Sequence, residues 1–299
     1  MSITTSAPAR SAGLRSLLTR NGGHKQGHTT LVDRVALTVA ALMVLLALVG
    51  PYLAPMDPYA VNLADSLVPP GTEYWMGTDA NGRDILSRIL AGGRTTLLAT
   101  VAVIAVATVI GTLIGTVAAL GGRIVDEVLM RICDVGLSLP AIVVALGLAA
   151  AMGPSLQSAV VALAATWWPG YARLVRTLVR EVRDAEFVES ARVLGVSRTR
   201  LVFRHVLPNS LSALYVQTTL DVSAVMLVIS GLSFVGVGAQ VPASEWGAMI
   251  AASRDTAITA WWTVLFPGLA IAVTAIAFNL VGDWLRVRTD PTLRAGGRR

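Results

Sequence analysis

Four long apolar segments constrain this chain more than any other feature of its sequence. They comprise residues 35–54, 96–120, 211–238 and 257–282, and the third alone contains a charged residue, Asp221. A helix needs roughly 20 apolar residues to cross the ~30 Å hydrocarbon core of a bilayer. All four segments are long enough, so each is predicted to be a transmembrane helix.

Two shorter segments, residues 136–152 and 157–172, are free of charge but are weaker candidates, and the first contains Pro140. Together they predict a tight helical hairpin with its turn at residues 152–155, and a single re-entrant feature is the alternative. Two spans give an even total of six and place both ends of the chain on one side of the membrane. The predicted fold class is therefore an all-α integral membrane protein with about six transmembrane helices.

Composition supports a membrane protein over a water-soluble one. The 299 residues are 54% hydrophobic and 14% charged, with a mean hydropathy of +0.66, whereas soluble domains are about 25% charged. The chain thus has too little polar surface to cover a globule in water. The net charge of +6 does not indicate nucleic-acid binding, because the basic residues lie in short loops between apolar segments.

The distribution of these basic residues predicts the orientation in the membrane. Twenty of the 24 lysines and arginines lie in the N-terminal tail, the 121–135 loop, the 173–206 loop and the C-terminal tail. The positive-inside rule places such segments in the cytoplasm. We therefore expect both termini to be cytoplasmic, with residues 1–30 a disordered tail and residues 286–299 a second tail.

The outer side holds the other four arginines and a long first loop. Residues 31–95 are predicted to form the first span, an extracytoplasmic loop and a short interfacial helix that Gly92-Gly93 ends. Residues 96–285 form the remaining transmembrane core. Trp246, Trp261 and Trp262 are expected in an outer aromatic belt, and Glu245-Trp246 is a weaker candidate for contact with an external protein. An inner belt is expected from Trp167, Trp168 and Tyr171.

The cytoplasmic loop 173–209 carries the most regular pattern. Four arginines at positions 173, 176, 180 and 183 share one helical face. A helix over 184–194 is expected to end at Gly195, which fits a left-handed C-terminal cap. Ser197 then begins a helix over 198–206, and Pro208 is expected to stop it. A loop this regular favours docking to a partner, and a pair of helices lying on anionic lipid is the alternative.

Two acidic residues in or near the membrane have competing interpretations. Asp221 inside the third long segment costs about 2.5–3.5 kcal/mol to insert, so it must face protein or water. It is a candidate for the pathway or a gate, where it would attract an amino group, and the alternative is a structural hydrogen bond to Gln217. Asp134 is expected to pair with Arg131, three residues earlier.

Chemistry on the chain itself is not indicated. The sequence contains no glycine-rich phosphate loop followed by Lys-Ser/Thr, so ATP binding by this chain is not expected. Cys133 is alone, and the three histidines have no metal-ligand spacing. No cofactor, metal or catalytic residue is predicted.

Several stretches resemble a known family. Glu189-Ser190-Ala191, Gly195 and Leu207-Pro208 are similar to the Glu-Ala-Ala…Gly…Leu-Pro loop of ABC importer permeases, with Ser190 in place of the usual alanine. Residues 77–84, 232–238, 246–247, 278–283 and 290–291 resemble the peptide-importer branch. The resemblance covers about residues 31–293 and is closest to the DppC/OppC-type permeases of bacterial dipeptide and oligopeptide importers.

That resemblance implies a type I ABC importer permease fold in the bacterial plasma membrane. It implies a second homologous permease subunit, two cytoplasmic ATPase subunits that use ATP, and an extracytoplasmic protein that delivers peptide. The 184–206 loop would supply the helix that couples to an ATPase, where Glu189 pairs with either an ATPase arginine or Arg192. The alternatives are another cargo (a metal complex, haem or a glycosidic compound) and a stand-alone secondary transporter, which several intramembrane charges or an internal repeat would favour.

Overall fold

The computed structural model describes residues 31–289, apart from several side chains between residues 192 and 212. The regular elements of this part of the chain are helical. The principal ones are α1 Leu31–Leu53, α2 Ile85–Leu120, α3 Arg123–Ser138, α4 Ala141–Met152, α5 Leu156–Arg183, α6 Glu186–Val193, α7 Arg198–Leu201, α8 Leu207–Val235, α9 Trp246–Ala252 and α10 Trp262–Thr289. The tails predicted at 1–30 and beyond residue 289, including Asp290-Pro291, lie outside the described residues.

The six predicted spans fall on α1, α2, the α3–α4 pair, α5, α8 and α10. Within the described residues, four helices are long and apolar enough to cross a membrane, and α3 with α4, bent by 86°, brings the number to as many as five. Helix α5 has 28 residues but is more polar, because arginines occupy its second half. The predicted all-α membrane architecture is confirmed.

The hairpin between α4 and α5 lies where the sequence predicts it. Helix α4 ends at Met152, and Gly153 follows in the left-handed region with φ +89°. Ser155 then caps α5 by accepting a hydrogen bond from the Ser158 amide at 3.0 Å. The turn therefore satisfies backbone groups that the helix ends leave without partners.

The short interfacial helix predicted before the second span is wrong. Helix α2 runs without a break for 36 residues, about 54 Å at 1.5 Å per residue, and Gly92-Gly93 lies inside it. A Cβ atom at Gly92 would overlap the Ser244 carbonyl and come within 3.0 Å of the Trp246 ring. These glycines permit close packing of α2 against the 244–246 segment, so their role is contact rather than termination.

Helices α2 and α5 approach closely through the small-residue spacing predicted at Gly111 and Gly115. A Cβ atom at Gly111 would lie 2.9 Å from both the Ala172 nitrogen and the Trp168 carbonyl oxygen. One at Gly115 would lie 3.0 Å from the Arg176 nitrogen. Lipid provides no hydrophobic driving force between membrane helices, so small residues favour helix association by allowing close van der Waals contact. The sequence pattern thus identifies the principal helix contact.

The segment between α1 and α2 packs against α9 and α10. The Trp262 indole donates to the Thr78 carbonyl at 3.1 Å, and buried Arg88 donates to the carbonyls of Pro58 and Ala243 at 3.2 and 3.1 Å. Trp246 and Trp262 are buried, whereas Trp261 is exposed. The aromatic-belt prediction is therefore wrong for Trp246 and Trp262, which are buried in an apolar cluster.

Contact of Glu245-Trp246 with an external protein is also wrong. Glu245 is 0% exposed and caps α9, where its carboxylate accepts from the amides of Gly247 and Ala248 at 3.0 and 2.8 Å. An acidic cap satisfies free amides and the positive end of the helix dipole. Its role in this structure is to fix α9.

Candidate functional site

The loop between α5 and α8, predicted to be cytoplasmic, forms a compact helical unit that includes the predicted glycine turn. Helix α6 ends at Val193, and Gly195 adopts φ +79°. The Val196 amide donates to the Ala191 carbonyl at 3.2 Å, which is the long-range bond of a Schellman cap. Glycine is favoured here because an L side chain is strained at this φ.

Pro208 does not stop a helix, contrary to the prediction. Residues Val202–Val206 form a π-helical turn that leads directly into α8, where Pro208 occupies the first turn. The Leu207 amide donates to the Val202 carbonyl, five residues earlier. Proline is tolerated in a first turn because it needs no amide donor there. Leu207 and Pro208 therefore join the loop to a membrane helix instead of separating them.

The unit is anchored inward by one apolar cluster. Val188 of α6, Leu201 of α7 and Val206 are buried together with Val175 and Val179 of α5. The small side chain of Ala191 packs partly against the same cluster. The loop is thus packed against the end of α5.

The outer face of the same unit is apolar and uncovered in this chain. Val193 and Leu194 are 82% and 84% exposed, and Phe187 and Phe203 are also exposed. Glu189 and Ser190 lie beside them on the surface, where the Ser190 hydroxyl bonds to the Glu186 carbonyl at 3.0 Å. We call Phe187, Val193, Leu194 and Phe203 the docking rim. Large apolar side chains exposed on a helical unit outside the apolar spans are candidates for an interaction surface.

The arginine face of α5 is occupied within the chain. Asp126 of α3 accepts from Arg176 and, at 2.8 Å, from Arg180. Arg173 pairs with Asp134 at 2.5 Å, so the predicted Arg131–Asp134 pair is wrong. These ion pairs fasten α5 to α3.

A second polar site lies inside the membrane around Asp221. The Trp167 indole of α5 donates to one carboxylate oxygen at 3.3 Å, and the Gln217 amide donates to the other at 3.0 Å. The structural alternative predicted for Asp221, a hydrogen bond to Gln217, is therefore present. Tyr171 is buried next to this carboxylate, so Trp167 and Tyr171 are not simply members of an inner aromatic belt.

The sequence singled out Asp221 but missed its aromatic partners. Trp167 and Tyr171 are four residues apart on α5 and hence on one helical face. That spacing was the available signal, but it does not distinguish a face toward lipid from one toward α8. The other predicted site residues are distributed along the loop: Glu189, Ser190 and Ala191 lie on α6, Gly195 lies in the turn after it, and Leu207 and Pro208 begin α8, the helix that also carries Asp221.

These features define a class of protein before any comparison is made. A helical bundle with several helices apolar enough to cross a membrane carries a packed helical unit with exposed apolar side chains at one end, and a hydrogen-bonded carboxylate within one of its spans. This is the architecture of a multi-pass membrane protein.

Comparison with known proteins places the chain in a family. Residues 111–295 match the family described as binding-protein-dependent transport system inner membrane component. The chain is 44% identical over 261 residues to the probable D,D-dipeptide transport system permease protein DdpC of Escherichia coli K12, and the match covers 87% of both chains. It therefore belongs to this family of transport permeases, and the predicted ABC importer permease class is confirmed.

Other relatives and a solved structure agree. Identity is 39% over 261 residues to the dipeptide transport system permease protein DppC of Alkalihalophilus pseudofirmus, covering 87% of this chain and 86% of that one. It is 37% over 260 residues to the nickel transport system permease protein NikC of E. coli K12, covering 87% and 94%. A chain of an amino acid ABC transporter crystal structure has the same fold, with a TM-score of 0.54 at 16% identity over 67% of this chain and 94% of that one.

Proposed function

We propose that this chain is one permease subunit of an ATP-driven importer that carries dipeptides or oligopeptides across the bacterial plasma membrane. The observation that carries the proposal is the exposed docking rim on a packed helical unit, in a chain whose relatives include permeases named for dipeptide transport. A second homologous permease completes the pathway, and an extracytoplasmic binding protein delivers the peptide. Two cytoplasmic ATPase subunits bind and hydrolyse ATP, and this chain itself holds no cofactor and acts as no enzyme.

Coupling to the ATPase is assigned to α6 and the turn after it. Phe187, Val193 and Leu194 enter an apolar cleft of one ATPase, and Glu189 pairs with a basic residue of that partner. The small side chains of Ser190 and Ala191 allow the helix to approach the ATPase closely. Gly195 holds the turn, and Leu207-Pro208 begins the helix that returns to the membrane. Because Val188, Leu201 and Val206 are packed on α5, a movement of the docked helix is passed to the bundle rather than absorbed by the loop.

The orientation follows from the charge distribution. The docking unit and its arginines lie in the cytoplasm, and so do both termini. The ordered 54–84 segment and α9 then lie outside, on the side where a binding protein delivers substrate.

The second candidate is the same class of permease with another cargo. The 37% identity to a permease named for nickel transport favours this alternative specifically, because sequences this similar serve systems named for different cargoes. The ligand that co-purifies with this transporter's binding protein separates the two cargoes.

The proposal is tested by assembly and uptake. The tagged chain, co-expressed with its partner subunits, should retain the ATPases in detergent. Leu194→Glu and Gly195→Arg should lose them, and ATP-driven uptake of labelled dipeptide into vesicles should fall with them. The matched control is Val287→Glu, which places the same charge at another exposed apolar position on α10 and should retain both. Equal loss in Leu194→Glu and Val287→Glu, or transport by this chain without ATPases, would contradict the proposal.

A further inference from the structure

Asp221 is the central residue of the 29-residue helix α8. The apolar part of this helix is Ala213–Val235, so the carboxylate lies within the span, about 12 Å from one end and about 21 Å from the other at 1.5 Å per residue. Two donors reach it, the Trp167 indole and the Gln217 amide. A carboxylate has about four acceptor positions, so this one retains capacity for a further donor.

No cation neutralises this carboxylate within the described side chains. The ion pairs found there lie at the two membrane surfaces: Asp79 with Arg83 and Arg88 outside, and Asp126, Asp134 and Asp184 with arginines inside. An acid within a span is costly and normally faces a water-filled cavity, a partner charge or a transported group. Among the described side chains, the Asp221 carboxylate therefore meets neutral donors.

A buried hydroxyl adds a second, independent sign of a ligand site. Tyr171 is 2% exposed, and its hydroxyl has no hydrogen-bond partner within the described part of the chain. It lies next to the Asp221 carboxylate and the Thr108 hydroxyl, which is also unpartnered there. A hydroxyl this buried normally has a partner, and that of Tyr171 adjoins the Asp221 carboxylate and the Thr108 hydroxyl without a well-formed hydrogen bond to either.

The site opens on one face of α8. Gln217, Asp221, Ala224, Val228 and Gly231 follow one another at helical spacing, and Gln217 and Ala224 are exposed. A Cβ atom at Gly231 would meet nothing within 4 Å. Gln217 and Asp221 on this face are polar and unsuited to lipid, and the small residues beside them leave room for a group to approach Asp221.

We propose that Asp221, Gln217 and Tyr171 form an intramembrane site for the positively charged amino group of the transported substrate. A peptide's α-amino group is mostly protonated at pH 7, because its pKa is about 7.7–8.0. An ammonium has three donors and no acceptor, which the Asp221 carboxylate, the Gln217 amide oxygen and the Tyr171 hydroxyl oxygen match. The inference rests on the proposed function and deepens it by naming the recognised part of the substrate.

The test is equilibrium binding of a radiolabelled dipeptide and its N-acetylated form to the whole permease–ATPase complex in nanodiscs, without the binding protein. Wild type should bind the free-amine peptide about tenfold tighter or more, as a charged hydrogen bond of this kind contributes. Asp221→Asn should bind both forms equally, and Asp221→Glu should retain a preference. Thr219→Val is the matched control, because its hydroxyl bonds only the Tyr215 carbonyl of its own helix at 2.8 Å, and it should behave as wild type.

Three results would overturn the inference. They are a preference retained in Asp221→Asn, no preference or no binding in wild type, and loss of the second permease from Asp221→Asn, which would place the counter-charge of Asp221 in that subunit. Uptake by wild-type vesicles with the binding protein is measured in parallel. Peptide uptake with no preference for a free amine would refute the Asp221 site alone. Absence of peptide uptake would refute the proposed function.

Discussion

Gly195→Ala isolates the contribution of the left-handed turn to ATPase docking. The residue has φ +79°, and a Cβ atom there would meet nothing within 4 Å. The substitution therefore adds no clash, and its cost is the strain of an L-residue in this conformation, about 1 kcal/mol. The turn is exposed and can open locally, so the docking-competent fraction falls by up to about fivefold, since ~1.4 kcal/mol is tenfold.

The assay is the Kd between the detergent-purified permease pair and its ATPase subunits, measured beside thermal stability. Gly195→Asn should weaken docking less than Gly195→Ala, because asparagine tolerates the left-handed region better. Gly122→Ala is the matched control: Gly122 lies between α2 and α3 with φ +87°, and a Cβ atom there would also meet nothing within 4 Å. It should lose similar stability with unchanged docking. Equal docking loss in the two alanine variants, or none in either, would refute the reasoning.

Two further predictions concern the bundle. Gly111→Leu forces a side chain against the α5 backbone, where even a Cβ atom would lie 2.9 Å from the Ala172 nitrogen, and should cost about 1–3 kcal/mol or more; a lowered Tm in detergent checks it, with Gly147→Leu, which has open space, as the tolerated control. Asp126→Asn removes the charge that holds Arg176 and Arg180 and should cost about 2 kcal/mol, whereas the exposed Asp184→Asn should cost under about 1 kcal/mol. Equal Tm values within either pair would contradict the packing or ion-pair argument.

Predictions from the sequence were most accurate for features that depend on residues close together in the chain. Apolar length identified the membrane helices, because hydrocarbon thickness sets a fixed number of residues. The spacing of Gly111 and Gly115 identified the α2–α5 contact, and the position of Gly195 identified a turn with positive φ. In each case one physical requirement acts on neighbouring residues.

The wrong predictions concern residues whose structural role depends on segments that are distant in the sequence. Gly92-Gly93 reads as a helix end in isolation, but the 244–246 segment packs against it and makes the glycines a contact surface. Glu245 reads as an exposed acid, yet it is fully buried as the cap of α9. Trp262 reads as an interfacial aromatic, but its indole bonds to Thr78, 184 residues away along the chain. No local pattern contains these partners.

The helical backbone is continuous at Pro208 and connects the docking unit to the helix that carries Asp221. Helix α5 carries Trp167 and Tyr171 in the membrane and ends at Arg183, immediately before α6. Helix α8 begins at Leu207, directly after the π-helical turn, and carries Asp221 at its centre. The two helices that form the Asp221 site are therefore continuous with the docking unit: α5 leads into it and α8 leads out of it. In the proposed transporter, a displacement of α6 by the ATPase moves these two helices first, so the donors around Asp221 are the groups whose spacing ATP-driven motion would change.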